Sequence, residues 1–226
     1  VGTQFPQAVG AAMAFAYRGE DSIACSWLGE GTSAQGDFHY GLNFASVYRA
    51  PCVLVVVNNQ WAISTHRNLA HGGPSFAARG IPYDVASMRV DGQDFLAVYA
   101  AHKWATERAR AGHGPTLLEM YTYRGDSHSS SDDPSIYRPG NEYDSWPLGD
   151  PVDRLKAHLM KLGEWDDERH AELEEQCTKE IIVAYKEAEK HGTLKDGPFP
   201  SVSTLFEDVY EKEPWHLLEQ RGEVGI

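Results

Sequence analysis

The sequence predicts a doubly wound α/β fold, in which helices cover both faces of a parallel sheet, followed by a C-terminal helical extension. Strand-like apolar runs alternate with helical segments along residues 1–149. The run CVLVVV at 52–57 is apolar throughout, as is typical of a parallel strand buried on both faces. After residue 149 only helical patterns remain. We therefore predict an α/β domain at 1–149 and a helical extension with a tail at 150–226.

The first elements form a strand–helix–strand unit. Alanine-rich residues 3–18 predict a closely packed helix, which Gly19 ends. A short apolar run at 22–28 predicts a strand. An apolar stripe that extends to about Arg49 predicts the next helix, which leads into the strand at 52–57.

The alternation then repeats. Residues 66–82, rich in Gly, Pro, His and Arg, predict a loop. Strands are predicted at 86–90 and 116–123, on either side of a helix at 95–111. Residues 124–149 lack periodicity, and a loop of this length in a compact domain is usually functional or mobile.

The extension reads as two amphipathic helices at 150–162 and 166–191. The second has dense Glu/Lys pairing, which indicates an exposed helix.

Composition limits the classes of partner. The net charge of −13 argues against binding to nucleic acid. No apolar run approaches the length of a membrane span, so we expect no membrane partner. The cysteines, Cys25, Cys52 and Cys177, are far apart and form no Cys-x-x-Cys pair, which favours free thiols in a reducing compartment.

The turn Gly29-Glu30-Gly31 lies at the carboxyl end of the first predicted strand, where open parallel sheets bind ligands. Glycines let the backbone approach a phosphate closely, and Thr32 or Ser33 could cap the helix that follows. Glu30 would repel a diphosphate unless a cation lay between them. Mg²⁺ is commonly held by one carboxylate together with phosphate oxygens.

Asn59 follows the next predicted strand, so adjacent parallel strands would bring it to the same sheet edge as Glu30. Its side-chain oxygen and the backbone carbonyl of Trp61 are the hard oxygen ligands that Mg²⁺ prefers. The residues alone leave a second interpretation open, in which Asn58 and Asn59 form an ordinary turn and Glu30 begins a helix.

A Gly-Glu-Gly turn about thirty residues before a paired Asn matches the signature of thiamine diphosphate enzymes. The stretches GDFHYGLNFASVYRAP, NNQWAIST, RVDGQDFLAVYAA and YRGDSHSSSDDPSIYRP resemble the α subunit of the branched-chain 2-oxo acid dehydrogenase E1 component. The similarity covers nearly the whole chain. It implies a thiamine diphosphate-binding fold and oxidative decarboxylation of branched-chain 2-oxo acids of the 3-methyl-2-oxobutanoate type, with acyl transfer to lipoyl-E2.

The resemblance also implies a ligand set. Mg²⁺ would be bound by Glu30, Asn59 and the carbonyl of Trp61. Backbone groups elsewhere would contact the cofactor: Val1 the aminopyrimidine ring, and Gly29, Gly31 and Thr32 the diphosphate. Thr3 and Gln4 match a potassium site that some members have.

His128 matches the family's active-site histidine, which contacts the diphosphate and assists acyl transfer to lipoamide. Imidazole suits both roles because it can donate a hydrogen bond and exchange a proton near neutral pH. Ser129 matches the position phosphorylated in mitochondrial relatives, where a phosphate would block or disorder the loop. Ser127 departs from the pattern, since those relatives often carry His there. Five residues match those that order the loop: Arg124, Asp132, Asp133, Tyr137 and Arg138.

The resemblance further implies a divided active site. The family's N-terminal portion, with further diphosphate ligands, would precede Val1, and the Glu that activates the aminopyrimidine belongs to the E1 β subunit. We therefore expect an α₂β₂ heterotetramer that works with lipoyl-bearing E2. The location would be the cytoplasm in a bacterium or the mitochondrial matrix in a eukaryote.

Three alternatives accompany this interpretation. The same chemistry could act on pyruvate or acetoin, because the substrate pocket depends on residues outside this chain. A truncated chain could be an inactive cofactor-binding or assembly module. A Ser/His/Asp hydrolase built on 127–133 is disfavoured because the chain lacks a Gly-x-Ser-x-Gly elbow.

Overall fold

The computed structural model describes residues 1–192, 195–197, 199–207 and 210–226. The chain forms two compact units, residues 1–162 and residues 163–226. The first of the two predicted extension helices lies within the first unit. The domain division at residue 150 stays a prediction. No helix in the described ranges is both long and apolar enough to cross a membrane.

A parallel four-stranded sheet is the centre of the first unit, and a small antiparallel pair follows its second strand. The strands in chain order are β1 (Ala24–Gly29), β2 (Cys52–Asn58), β3 (Trp61–Ala62), β4 (Thr65–His66), β5 (Ala86–Asp91) and β6 (Thr116–Tyr121). The main sheet has the order β1-β2-β6-β5, with all neighbours parallel. The carboxyl ends of β1, β2 and β6 therefore lie side by side.

Helices cover both faces of this sheet, as predicted. The helices of the first unit are α1 (Gln4–Arg18), α2 (Gly36–Val47), α3 (Arg67–Ala70), α4 (Phe95–Arg110) and α5 (Pro151–Lys161). Short 3₁₀ helices occur at Glu30–Ala34, Ala77–Tyr83 and Pro134–Ile136. Phe5 of α1 and Phe38 of α2 pack in a core on one face, whereas Ala101 and Ala105 of α4 pack in a second core on the other.

The continuous apolar run of β2 follows from these two cores. Leu54 and Val56 belong to the core under α1 and α2, whereas Val53 and Val55 belong to the core under α4. Successive strand residues point to opposite faces, so a strand covered on both sides needs apolar residues at every position.

The expected helix cap at Thr32 or Ser33 is wrong. Residues 30–34 form a 3₁₀ helix, and α2 begins at Gly36 without a side-chain cap. The Ser33 hydroxyl instead donates to the Glu30 carbonyl at 2.5 Å and accepts from the Arg79 guanidinium. It is therefore committed to contacts that hold the turn after β1.

The predicted loop at 66–82 contains regular structure, namely α3 and most of the 3₁₀ helix Ala77–Tyr83. The Ala77 N–H donates to the Glu119 carboxylate at 2.9 Å, and the Ala78 N–H donates to Ser75 Oγ at 3.1 Å. The first of these partners is 42 residues away. Local composition could not predict a helix start stabilised from that distance.

The second unit contains α6 (Asp167–Glu189), a 3₁₀ helix at Val202–Leu205 and α7 (Trp215–Glu223). Asp166 caps α6 by accepting from the Arg169 N–H at 2.8 Å. No residue of α6 is buried, and Lys179 pairs with Glu175 one turn away at 2.5 Å. The prediction of an exposed, charge-paired helix is confirmed.

Candidate functional site

The sheet brings Glu30 and Asn59 together at its carboxyl edge. Gly29 ends β1 and Asn58 ends β2, and Gly29 pairs in register with Val57. The residues that follow the two strands are hydrogen-bonded, since the Asn59 N–H donates to Glu30 Oε2 at 3.3 Å. Glu30 and Asn59, whose side chains both offer oxygen ligands, are 29 residues apart in sequence and thus meet as the parallel pairing predicts.

Glu30 is a buried carboxylate, only 3% exposed, with one oxygen unsatisfied. Oε1 is buried and has no hydrogen-bond partner in the described part of the chain. Burial raises the pKa of Glu30, while the Asn59 N–H and the guanidinium groups of Arg124 and Arg67 act in the opposite direction. A buried carboxylate with a free oxygen is costly unless a donor or a cation completes it.

A tight turn at 58–61 presents Asn59 and Trp61. Asn59 Oδ1 accepts from the Trp61 N–H at 3.1 Å. Gln60 has a φ of +74°, which a non-glycine residue rarely adopts. Its amide holds the strained conformation, since Nε2 donates to Asn58 Oδ1 at 3.0 Å and to the Thr122 carbonyl at 3.2 Å.

The oxygen donors at this edge fit Mg²⁺. Glu30 Oε1 supplies a carboxylate oxygen to which no described residue donates. Asn59 Oδ1 accepts from the Trp61 N–H, the Trp61 carbonyl accepts from Arg124 at 3.3 Å, and carbonyl and amide oxygens each have two lone pairs. The described residues hold no group of three His, Cys, Asp or Glu arranged for a metal. A metal here would therefore rely on amide, carbonyl and ligand oxygens, as Mg²⁺ sites often do.

The glycines flanking Glu30 differ in their surroundings. A Cβ on Gly31 would lie 2.4 Å from the Ala62 Cβ, so glycine is needed there for packing. A Cβ on Gly29 would have no neighbour within 4 Å, and φ is an ordinary −74°. Open space beside Gly29 is compatible with close approach of a phosphate to the backbone.

The N-terminal residues approach this turn. Gly2, with φ of +102°, is so close to the 32–37 segment that a Cβ would lie 3.5 Å from Thr32 Cγ2. Val1 directly precedes Gly2 and its side chain is exposed, and its contact with the aminopyrimidine ring stays a prediction. Thr3 and Gln4 are exposed, and Gln4 Oε1 accepts from the Gly2 N–H at 3.1 Å. Their role in potassium binding stays a prediction.

Arg124 connects the candidate metal turn to the long loop. It follows β6, and its guanidinium donates to the carbonyls of Trp61 and Ile63, at 3.3 and 2.9 Å. The same group donates to Tyr137 Oη at 2.5 Å and lies 3.8 Å from the Asp132 carboxylate. The structure thus joins loop residues to the turn at 58–61.

Asp132 organises the start of the loop. Its Oδ2 accepts from Tyr137 Oη at 2.6 Å and from the His128 N–H at 2.7 Å. The hydrogen bond from Tyr137 is the main reason why the pKa of Asp132 is lowered, followed by the one from the His128 N–H. Burial and the adjacent Asp132 raise the pKa of Tyr137.

Arg138 and Asp133 act on other parts of the loop. The Arg138 guanidinium donates to the carbonyls of Arg124 and Gly125, and it lies over the Tyr123 ring. Asp133 begins the 3₁₀ helix at 134–136 by accepting from the Ser135 N–H at 3.0 Å. These contacts are local to the loop.

His128 and Ser129 are exposed. His128 joins the network through its backbone N–H, whereas Ser129 Oγ lies 3.3 Å from Ser131 Oγ. Catalysis by the His128 imidazole and modification at Ser129 stay predictions.

Sequence reasoning missed two charged groups beside the site, the half-buried Arg79 and the buried Glu119. The Arg79 guanidinium donates to the Ser33 carbonyl and hydroxyl and lies over the rings of Phe38 and Phe76. Glu119 is fully buried on β6 and accepts from Asn58 Nδ2 at 2.7 Å. The one available signal was a charged residue within the apolar run TLLEMY.

Comparison with known proteins shows which family the chain belongs to. The family model described as "Dehydrogenase E1 component" matches residues 1–196. The chain is 54% identical over 99% of its length to the 2-oxoisovalerate dehydrogenase subunit alpha of Pseudomonas aeruginosa, covering 55% of that protein. It is 42% identical over 99% of its length to the 3-methyl-2-oxobutanoate dehydrogenase subunit alpha of Mycobacterium tuberculosis, covering 59%.

A pyruvate dehydrogenase E1 component subunit alpha from Staphylococcus aureus is 40% identical over 97% of this chain, which covers 58% of that relative. The chain thus spans more than half, but less than two thirds, of the length of these relatives. The match nevertheless includes the turn after β1, the turn after β2 and the long loop. The chain belongs to the dehydrogenase E1 component family.

Proposed function

We propose that this chain forms the Mg²⁺ and diphosphate half of a thiamine diphosphate site in the α subunit of a branched-chain 2-oxo acid dehydrogenase E1 component. One observation carries the proposal. Glu30, with a buried unpaired oxygen, is hydrogen-bonded to the backbone of Asn59 at the carboxyl edge of a parallel sheet. The family is thiamine diphosphate-dependent, which supports the assignment of the ligand.

The residues have separate roles in this proposal. Glu30, Asn59 and the Trp61 carbonyl would hold Mg²⁺, while backbone groups of Gly29, Gly31 and Thr32 would face the diphosphate. Val1 would contact the aminopyrimidine ring. When bound, thiamine diphosphate supplies the electron sink for loss of CO₂ from a 2-oxo acid. His128 would move a proton during acyl transfer to a lipoyl group.

The loop residues would keep His128 in place. Arg124, Asp132 and Tyr137 form a connected network that begins at the Trp61 carbonyl and ends at the His128 backbone. The proposed partners are an E1 β subunit, in an α₂β₂ assembly, and lipoyl-bearing E2. The names of the similar alpha subunits support such a complex. Potassium at Thr3 and Gln4 is a separate part of the proposal.

The proposed substrate is a branched-chain 2-oxo acid. The higher identity to a 2-oxoisovalerate dehydrogenase, 54% against 40% for a pyruvate dehydrogenase relative, supports it. Decarboxylation by the full-length protein coexpressed with a β subunit tests the assignment. We expect higher kcat/KM for 3-methyl-2-oxobutanoate than for pyruvate, and the reverse order would overturn the substrate class.

Calorimetry tests the site itself. We expect thiamine diphosphate to bind the full-length protein with its β subunit only when Mg²⁺ is present. Glu30→Ala should abolish the metal dependence, because it removes the buried carboxylate. Glu20→Ala is the matched control, since it removes an exposed carboxylate that pairs with Arg18. Thiamine diphosphate binding by the unmodified protein that is equally tight with and without Mg²⁺ would contradict the proposal.

A further inference from the structure

Glu119 is a charged residue in the middle of a core strand. It lies on β6 between Leu118 and Met120, and its exposure is 0%. A carboxylate in such a place is unfavourable unless several donors satisfy it. Its neighbours along the strand are apolar, so an apolar side chain at this position would satisfy packing alone. The contacts of Glu119 therefore need a separate explanation.

The two carboxylate oxygens face different segments. Oε1 accepts from Asn58 Nδ2 at 2.7 Å, and Oε2 accepts from the Ala77 N–H at 2.9 Å. Arg89 Nε, on β5, lies 3.6 Å from Oε1. Glu119 thus connects the end of β2 to the start of the 3₁₀ helix at 77–83.

The first connection leads to Asn59. Asn58 Oδ1 accepts from Gln60 Nε2 at 3.0 Å, so the Asn58 side chain is held between Glu119 and Gln60. Gln60 in turn holds the positive-φ turn that presents Asn59. Loss of the Glu119 bond would release the Asn58 amide and loosen that turn.

The second connection leads to Glu30. Ala77 begins the helical turn that contains Arg79, whose guanidinium donates to the Ser33 carbonyl and hydroxyl. The Ser33 hydroxyl donates to the Glu30 carbonyl at 2.5 Å. The 3₁₀ helix that begins with Glu30 is therefore held through Arg79 by a segment that Glu119 anchors.

We propose that Glu119 is a positioning residue that sets the separation of Glu30 and Asn59 and thereby the Mg²⁺ affinity of the cofactor site. The inference rests on the proposed function, because it assumes that these two residues bind the metal. It assigns to one buried carboxylate the task of holding both ligand-bearing turns. Residues that orient metal ligands typically change metal affinity by about 10- to 100-fold when they are replaced.

Glu119→Gln tests this role with almost no change of volume. The amide NH₂ of Gln would face one of the two N–H donors, so one hydrogen bond is lost while the other can persist. We expect the Mg²⁺ concentration needed for half-maximal thiamine diphosphate binding to rise about tenfold or more, in calorimetry on the full-length protein with its β subunit. Excess Mg²⁺ should restore binding, which a purely structural defect would not allow.

Leu118→Ala is the control for general loss of stability. Leu118 is the neighbouring core residue, and it packs in the cluster under α4. This variant should unfold at lower urea concentration and keep the Mg²⁺ requirement of the unmodified protein. An unchanged Mg²⁺ requirement in Glu119→Gln, with normal binding by the unmodified protein, would overturn the inference and leave the proposed function intact.

Asn58→Ala covers the case in which Glu119→Gln does not fold. It removes the same hydrogen bond from the other side, together with the bond from Gln60, and should also raise the Mg²⁺ requirement. An unchanged requirement in this variant would again overturn the inference. If the unmodified protein itself shows no Mg²⁺-dependent binding, the proposed function fails instead, so the two failures are distinguishable.

Discussion

Two glycines flank Glu30, and they are glycine for different reasons. Gly31 faces the Cβ of Ala62 so closely that no side chain fits. Gly29 has open space around it and an ordinary backbone conformation. The first glycine therefore serves packing between the turns after β1 and β2. The second keeps space free where the proposed diphosphate would lie.

Substitution by alanine should separate these roles. Gly31→Ala should lower the free energy of unfolding by about 1–3 kcal/mol, because the new methyl group overlaps Ala62. Gly29→Ala should leave that free energy within about 0.5 kcal/mol and weaken thiamine diphosphate binding. Urea unfolding and calorimetry measure the two effects. Equal loss of stability in both variants would contradict the distinction.

At the scale of elements, the long segment after β6 is tied to the sheet edge although it is almost without regular structure. Arg124 and Arg138 bind backbone carbonyls, and Tyr123 Oη donates to the Glu142 carboxylate at 2.5 Å. Burial and the hydrogen bond to Glu142 raise the pKa of Tyr123 to about 12. The segment is therefore held by side-chain contacts in place of a backbone ladder.

Asp132 makes part of this loop sensitive to acid. Its folded-state pKa lies below the value in an unfolded chain, about 3.9. The stabilisation is therefore present above about pH 4 and is lost as the pH falls through the folded-state pKa. We expect the NMR shift of the His128 amide to titrate with a midpoint below 3.9.

Two variants check the assignment of that midpoint. Asp132→Asn should remove this acid transition, which reports Asp132, from the shift of the His128 amide. Tyr137→Phe should move the midpoint upward, because it removes the largest cause of the low pKa. A midpoint above 4 in the unmodified protein would show that the Tyr137–Asp132 contact does not favour the ionised carboxylate.

At the scale of the first unit, the sheet separates two hydrophobic cores, and β2 contributes side chains to both. Leu54 and Val55 are neighbours in the chain and are both fully buried, yet they belong to different clusters. This arrangement requires helices on both faces. We therefore expect shortening of a buried β2 side chain to lower stability whichever face of the sheet it points to.

Leu54→Ala should lower the free energy of unfolding by about 2–5 kcal/mol, through lost burial and a residual cavity. Val55→Ala should also lower it, by about 1.5–3 kcal/mol, because Val55 is buried against the opposite layer. Val47→Ala, at an exposed position of α2, is the control and should have little effect. Urea unfolding checks all three, and a neutral Val55→Ala would contradict coverage by α4.

Much of the fold could be predicted because the signals are local. The continuous apolar run of β2 and the amphipathic pattern of α6 can each be seen within one short segment of the sequence. Boundaries were less predictable where a distant partner decides them. Ser33 was expected to cap a helix, but contacts with Arg79, 46 residues away, hold it in the 3₁₀ turn.

The sequence by itself determined the α/β class and the meeting of Glu30 and Asn59, since both follow from strand periodicity and parallel pairing. The family resemblance added the cofactor. Only the tertiary structure decided that Glu119 contacts Asn58 and Ala77 and that Gly31 is required by Ala62. The physical reason is that these contacts connect residues that are 31 to 61 positions apart in the chain. The sequence around each residue does not indicate which distant residue it will contact.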